Sequence, residues 1–376
     1  MLSGLYRRIS GPLSGHLAAI GSLGEKPTLS RAEERALRAS LRQVAMRVAY
    51  DLEHYHSRSN RRVYKNVDAA VSRFERTFGH PPGDVAVSRQ GKARSAHTCI
   101  GVAQGIATVL GPYVSRKRLG VVRLDGPDQA HPSILLSAGN GQEYVVDNWG
   151  MDRRAGAYTL DEFRDALLKS VRNKRSPLFY LSDELGIRVW KNPKDALAHP
   201  QAMLCGGLKL LDASAHENLA WQHMEAGDDQ KALAHANKAI RLFPLSNLAF
   251  MRRGDIHLNN GRLGRAMADY RRAVQMFPFN TLAHENMAIV HGLRGDRPSM
   301  LKLVNHLQTL VSGNVRSRMI CRAFMQFLDE QRSDDQAAGL HPFKKGAFLA
   351  FDRFLDQHLS GGGVAQENAR QSGKTN

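Results

Sequence analysis

AHPSILLSAGNGQEYVVD, residues 130–147, decides the fold of the front half of this chain. Ser133 to Ser137 and Glu143 to Val146 are short apolar runs with strand character, and Ala138-Gly139-Asn140-Gly141 between them is a strong reversal signal. The pattern is a β-hairpin. His131 opens its first strand and Asp147 closes its second. A turn centred on Asn140 therefore brings imidazole and carboxylate near each other across the ladder. Pro132 cannot donate a ladder hydrogen bond, so this point requires a strand start, an edge or a bulge.

Upstream, residues 98–110 read TCIGVAQGIATVL, an apolar helix with Thr98 placed to cap it and Gly111-Pro112 to end it. Gly101 and Gly105 fall on one face and admit a close neighbour. Cys99 sits in the first turn, where backbone N–H groups and the helix dipole favour a thiolate. A single cysteine is most often a small buried core residue. A cysteine at a helix start, with a histidine and an aspartate on paired strand ends, is a much rarer combination. It places a nucleophile, a base and an orienting carboxylate in one set. The Cys99 amide is one candidate oxyanion donor. Gln90 lies in the polar loop 88–97 and reads more simply as a solvated side chain.

The order of these residues, with Ala130-His131-Pro132-Ser133-Ile134-Leu135-Leu136 and Tyr144-Val145-Val146-Asp147-Asn148, resembles the bacterial transglutaminase-like cysteine proteinases. The resemblance spans roughly residues 93–149. It implies a papain- or transglutaminase-like domain in which Cys99 is the nucleophile, His131 the general base and acid, and Asp147 the orienting carboxylate. Calcium dependence is not implied, because 97–101 lack the flanking acids some of these enzymes use. The implied activity is acyl transfer on a peptide or protein, with peptide hydrolysis first and transglutaminase or glutamine deamidase chemistry as alternatives. A catalytically inactive adaptor is the reading from another class, and Pro132 is the feature that favours it.

Around this centre, Ser30 and Glu33 form a capping box for a helix to about His56, and a second helix covers Asp68 to Phe78. Leu119 to Leu124 reads as a strand. Thr159 and Glu162 cap a helix to about Val171, and Leu178–Leu181 and Ile187–Trp190 read as short strands. The expected domain runs over 30–200, behind a flexible segment 1–29.

From about Ala213 the pattern is helical throughout. Gly227, Gly261 and Gly295 recur every 34 residues, as do Pro244 with Pro278 and Ala220 with Gly254 and Ala288. This period, with small residues where helices cross, is the signature of tetratricopeptide repeats. Two good repeats and a third that decays after Gly295 are expected within 213–311. They are followed by a helical cap over 312–360 and a disordered tail over 361–376. The fold class is α+β at the front and an all-α solenoid behind. By analogy with the repeat family, Trp221, Met224, Met251, Leu258 and Ile289 are candidates to line a peptide groove, unless they pack on a neighbouring segment.

Net charge is +18, and residues 1–95 hold 17 Lys+Arg against 8 Asp+Glu. Such a surface attracts polyanions or acidic membranes. No zinc-finger or aromatic–basic RNA pattern accompanies it. Cys99, Cys205 and Cys321 are odd in number and far apart, which excludes a disulfide framework or a thiolate metal cluster. No metal, nucleotide or other cofactor motif is present. No run approaches the ~18 apolar residues of a spanning helix. The expected partners are a peptide or protein substrate, a protein on the repeats and an anionic surface at the basic front. The expected location is cytoplasmic, with export as the alternative because of the weakly apolar segment after Arg7 and Arg8.

Overall fold

The computed structural model describes residues 4–59, 65–78, 84–87, 93–96, 99–125, 130–147, 156–172, 180–183, 186–190, 193–199 and 202–312. Three helices open the chain: α1 (Gly4–Ser10), α2 (Ser14–Gly24) and α3 (Arg31–Ser59). The Ser30–Glu33 box forms as expected, with the Ser30 N–H and hydroxyl both donating to Glu33 Oε2 at 2.9 Å. The expected flexible front segment is a correction. Tyr6, Ile9, Leu13, Leu17 and Ile20 recur at helical spacing and are at most 5% exposed, inside the same core as Leu41 and Val48 of α3. Gly11 and Pro12 break one long helix into two rather than preventing helix formation.

Then come α4 (Val67–Phe78), the hairpin β1 (Asp84–Val87) with β2 (Ala93–Ala96), and α5 (Cys99–Leu110). The polar stretch read as loop thus contributes a strand, β2, paired from Asp84↔Ala96 to Val87↔Ala93. Backbone pairing overrides its weak propensity. Gly105 of α5 permits the close packing inferred for it: a Cβ there would meet Val48 at 2.8 Å and Leu52 at 3.1 Å. Thr98, proposed as the cap of α5, lies outside the described residues, as does Gln90.

The central sheet is antiparallel, built from β3 (Leu119–Asp125), β4 (Ala130–Ser137), β5 (Glu143–Asp147), β6 (Gly156–Thr159) and β9 (Met203–Gly207) in the order β6-β5-β4-β3-β9. Between them lie α6 (Leu160–Arg172), the pair β7 (Tyr180–Asp183) and β8 (Gly186–Trp190), and α7 (Pro193–Ala198). The reversal between β4 and β5 closes with Gly141 at φ 80°, which a Cβ would oppose. One face of the sheet packs on α1–α3 and α5 through Leu119, Val121, Ile134, Leu136, Tyr144 and Val146. The other face, with Val122, Leu124, Leu135 and Val145, packs on Phe163 and Leu167 of α6.

Six helices follow as three antiparallel pairs: α8 (Lys209–Glu225) with α9 (Asp229–Leu242), α10 (Asn247–Asn259) with α11 (Leu263–Met276), and α12 (Thr281–Leu293) with α13 (Arg297–Leu310). Each pair turns on the recurrent glycine, Gly227, Gly261 or Gly295, at φ 79°, 69° and 75°. Gly254 lies where a Cβ would meet the Tyr270 ring at 2.6 Å, which explains the small residue at the helix crossing. The third pair is complete where the sequence read as decaying. In α13, Met300, Val304 and Leu307 are buried at helical spacing without the small-residue signature. A short β10 (Val311–Ser312) pairs with β8. The expected cap and tail, residues 313–376, lie outside the described residues.

Helix α8 belongs to both halves. Leu210 and Leu211 sit in the front core, while Ala220 and Met224 sit in the repeat core. The 34-residue period also places Phe243 and Phe277 at one end of the solenoid. Phe277 enters the core on one sheet face, and Phe243 packs against the core on the other.

Candidate active site

Cys99 is the first residue of α5 and half-buried, so its thiol combines a helix start with access from solvent. Its Sγ lies 3.9 Å from the carbonyl oxygen of Ala130, the first residue of β4. His131 comes next and is 2% exposed. The β4–β5 ladder runs from Ser137↔Glu143 to Ile134↔Val146, which carries Asp147 to the level of Ser133 and onto the face His131 shares with Ser133. His131 Nε2 stands 2.7 Å from Asp147 Oδ1, and Ser133 Oγ donates to the same oxygen at 2.9 Å. The strand end expected to pair histidine with aspartate does so, two residues apart along the ladder.

Pro132 falls where its missing N–H does no harm. It lies opposite Arg123 of β3, and the ladder to β5 begins only at Ile134. The strand therefore behaves as an edge on that side at this level, the situation in which proline is tolerated.

Burial by itself would lower the pKa of His131. The charges of Asp147 and Cys99, together with hydrogen bonds to both, outweigh it and push the imidazole up to about 10. Asp147 at 2.7 Å and the nearby Cys99 thus favour the protonated ring. Ser133 was not singled out from sequence. Its signal was positional: a polar residue two places after His131 in an otherwise apolar strand.

A second group missed at first is larger. Arg123 lies in mid-strand among Val121, Val122 and Leu124, with no exposed surface. Its Nε donates to Asp125 at 2.6 Å, and its Nη1 donates to Glu217 of α8 at 2.9 Å and to Ser214 at 3.1 Å. Its Nη2 donates to Ser246 at 3.2 Å, and Ser246 in turn donates to Glu217 at 2.5 Å. Asn247 donates to Asp125 Oδ2 at 2.6 Å, and Asn280 donates to Asn247 Oδ1 at 2.7 Å. A lone arginine in an apolar strand was the sequence signal for a buried ion pair. Its partners on the repeat side, Ser214, Glu217 and Ser246, lie 91 to 123 residues downstream and carry no local signal.

The groove candidates divide. Met224, Met251 and Leu258 have no exposed surface and Ile289 has 8%, all within the repeat core, so they are interhelix packing rather than a groove wall. Their helical spacing fitted either face. Trp221 alone keeps partial exposure, with the Arg252 guanidinium stacked 4.6 Å from its ring centroid.

Residues 211–281 match the family model described as tetratricopeptide repeat. Repeats of this family generally present surfaces to protein partners. No curated protein matches the chain. Among the described residues, no helix is long and apolar enough to cross a membrane.

Proposed function

We propose that this protein is a cysteine-dependent acyltransferase acting on a peptide or protein, with hydrolysis of a peptide bond as its first activity. The observation that carries this reading is the imidazole of His131, held at 2.7 Å by Asp147, next in the chain to Ala130, whose carbonyl lies 3.9 Å from the Cys99 sulfur. In this scheme Cys99 Sγ attacks the scissile carbonyl carbon while its proton resides on His131. Collapse of the tetrahedral species breaks the C–N bond, and His131 gives that proton to the departing amine. Water then attacks the thioester, His131 accepts its proton, and the acid is released with the thiol restored. Asp147 orients the ring and stabilises its cationic form, and Ser133 fixes Asp147. The Cys99 N–H, at the start of α5, serves as one donor to the oxyanion in this scheme. The arrangement supports the papain- or transglutaminase-like reading of the front unit, and the repeats serve to recruit a substrate or partner protein.

The test uses the full chain with labelled casein at pH 7, with and without a dansylated primary amine. Release of acid-soluble peptides that is abolished by Cys99→Ala supports hydrolysis. Covalent capture of the amine instead would move the assignment to transamidation. Activity that survives in Cys99→Ala overturns the proposal. A second reading, an inactive repeat adaptor, is favoured by the family match over 211–281. It predicts that Cys99 reacts with iodoacetamide no faster than the exposed Cys205.

A further inference from the structure

The buried polar chain between sheet and solenoid ends beside the reacting thiol. Asp125 is the last residue of β3, and its partner across the ladder is Ala130, whose carbonyl faces Cys99 Sγ. Leu124 is likewise paired with His131. On its other side Asp125 is gripped by Asn247 at 2.6 Å, and Asn247 by Asn280 at 2.7 Å. All three residues have no exposed surface. Asn247 opens α10 and Asn280 caps α12 by accepting from the Ala283 N–H at 3.0 Å, so each is fixed by its own helix start. The same end of the solenoid supplies Phe243, 5.9 Å under the Arg123 guanidinium, and Phe277 in the core on the opposite sheet face.

We propose that Asp125, Asn247 and Asn280 are positioning residues for the Cys99–His131 pair, through which the second and third repeats set the reactivity of the thiol. This rests on the acyl-transfer reading above. Stiffness of the strand end carries the coupling. The end of β4 bearing Ala130 and His131 has the β3 ladder on one side, while the β5 ladder starts only at Ile134. What steadies β3 at that level is therefore what steadies the imidazole. On the backbone, Asp125 donates to the Ala202 carbonyl at 3.0 Å beside the β9 ladder, while its side chain is held by its neighbour Arg123 and by the repeat residue Asn247. A buried network with every member satisfied has one arrangement and resists displacement. Small misplacements of reacting groups cost rate steeply.

The test is site-resolved alkylation of the full-length protein by iodoacetamide, with rates read at Cys99 and Cys205 by mass spectrometry. Asn247→Ala and Asn280→Ala should each slow Cys99 by between about tenfold and a hundredfold, leaving Cys205 at its wild-type rate. Tyr270→Phe removes a buried 2.9 Å hydrogen bond to Asp255 within the repeats and lowers stability without touching the network. It should leave the Cys99 rate unchanged. Asn247→Asp adds a readout that a merely structural role would not move. It sets a second carboxylate against Asp125, which burial, opposed by Arg123 of β3 and helped by Glu217 of α8, pushes up to about 6. Its Cys99 rate relative to wild type should recover below pH 6, where the two carboxyls share a proton, and collapse at pH 8. If Asn247→Ala does not fold, the Asn247→Asp ratio decides. A reactive wild-type Cys99 with a flat Asn247→Asp ratio, or an unslowed Asn247→Ala, overturns the positioning role and leaves the triad standing. A wild-type Cys99 no faster than Cys205 removes both.

Discussion

Among the described residues, two of the regions that bury imidazoles shift them in opposite directions. At the end of β4, His131 stands 2.7 Å from Asp147, and against its burial the charges of Asp147 and Cys99 push its pKa up to about 10. Where α8 crosses α9, His216 Nδ1 meets His235 Nδ1 at 2.8 Å, and His223 stacks on His235 at 5.1 Å between centroids. There, burial, reinforced by neighbouring histidines and Lys238, lowers both His216 and His235 to about 4, so they stay neutral. Asp68 approaches His223 at 3.7 Å but is engaged by Lys231 at 2.5 Å, so little of its charge is left to pull the cluster up. The lesson is that burial alone empties an imidazole of its proton, and a committed carboxylate reverses that. The first arrangement favours a charged ring and the second a neutral one.

The largest expected effect separates the two directly. His131→Gln should reduce acyl transfer at Cys99 by about 10²–10⁴-fold, the usual worth of a positioned general base. His235→Gln should leave it unchanged. Equal losses in both variants, measured with the casein assay at matched folded fractions, would break the comparison.

The pH dependence of stability sharpens it. His216 and His235 have folded pKa values below the ordinary 6.5, so their contribution is complete above 6.5 and is lost as pH falls through about 4. His131 has a folded pKa above 6.5, so its contribution is complete below 6.5 and is lost as pH rises through about 10. Urea midpoints across pH 4–10 should therefore fall on both limbs. The acid limb is expected to lose about 1–2 kcal/mol by pH 4.5. His235→Gln should make the acid limb shallower without changing the alkaline limb, and Asp147→Asn should weaken the alkaline limb alone.

The smallest effect checks that the acid limb belongs to the rings rather than to α9 itself. Asp228 caps α9 by accepting from the Lys231 N–H at 3.1 Å. Asp228→Ala should cost about 1 kcal/mol at every pH in the urea series, with both limbs retained. A loss confined to acid pH would assign that limb to the cap.

Much of this was legible in the chain. The Gly139-Asn140-Gly141 reversal, the two capping boxes and the 34-residue recurrence of Gly227, Gly261 and Gly295 are local signals. Each is set by backbone sterics or by hydrogen bonds between residues close in sequence, so each survives without knowledge of the rest. The hairpin arithmetic placed His131 beside Asp147 for the same reason. The helices at 4–24 were misread because glycine and proline between apolar residues describe both a loose segment and a helical pair, and only the core they enter distinguishes the two. Met224, Met251, Leu258 and Ile289 were ambiguous because helical spacing names a face but not its neighbour. Arg123 stands out in its apolar strand, but Asp125, Asn247 and Asn280 carry no signal one by one. Their significance came from a fold that brings one strand end onto two repeat turns more than 120 residues away, where burial obliges every polar group to find a partner.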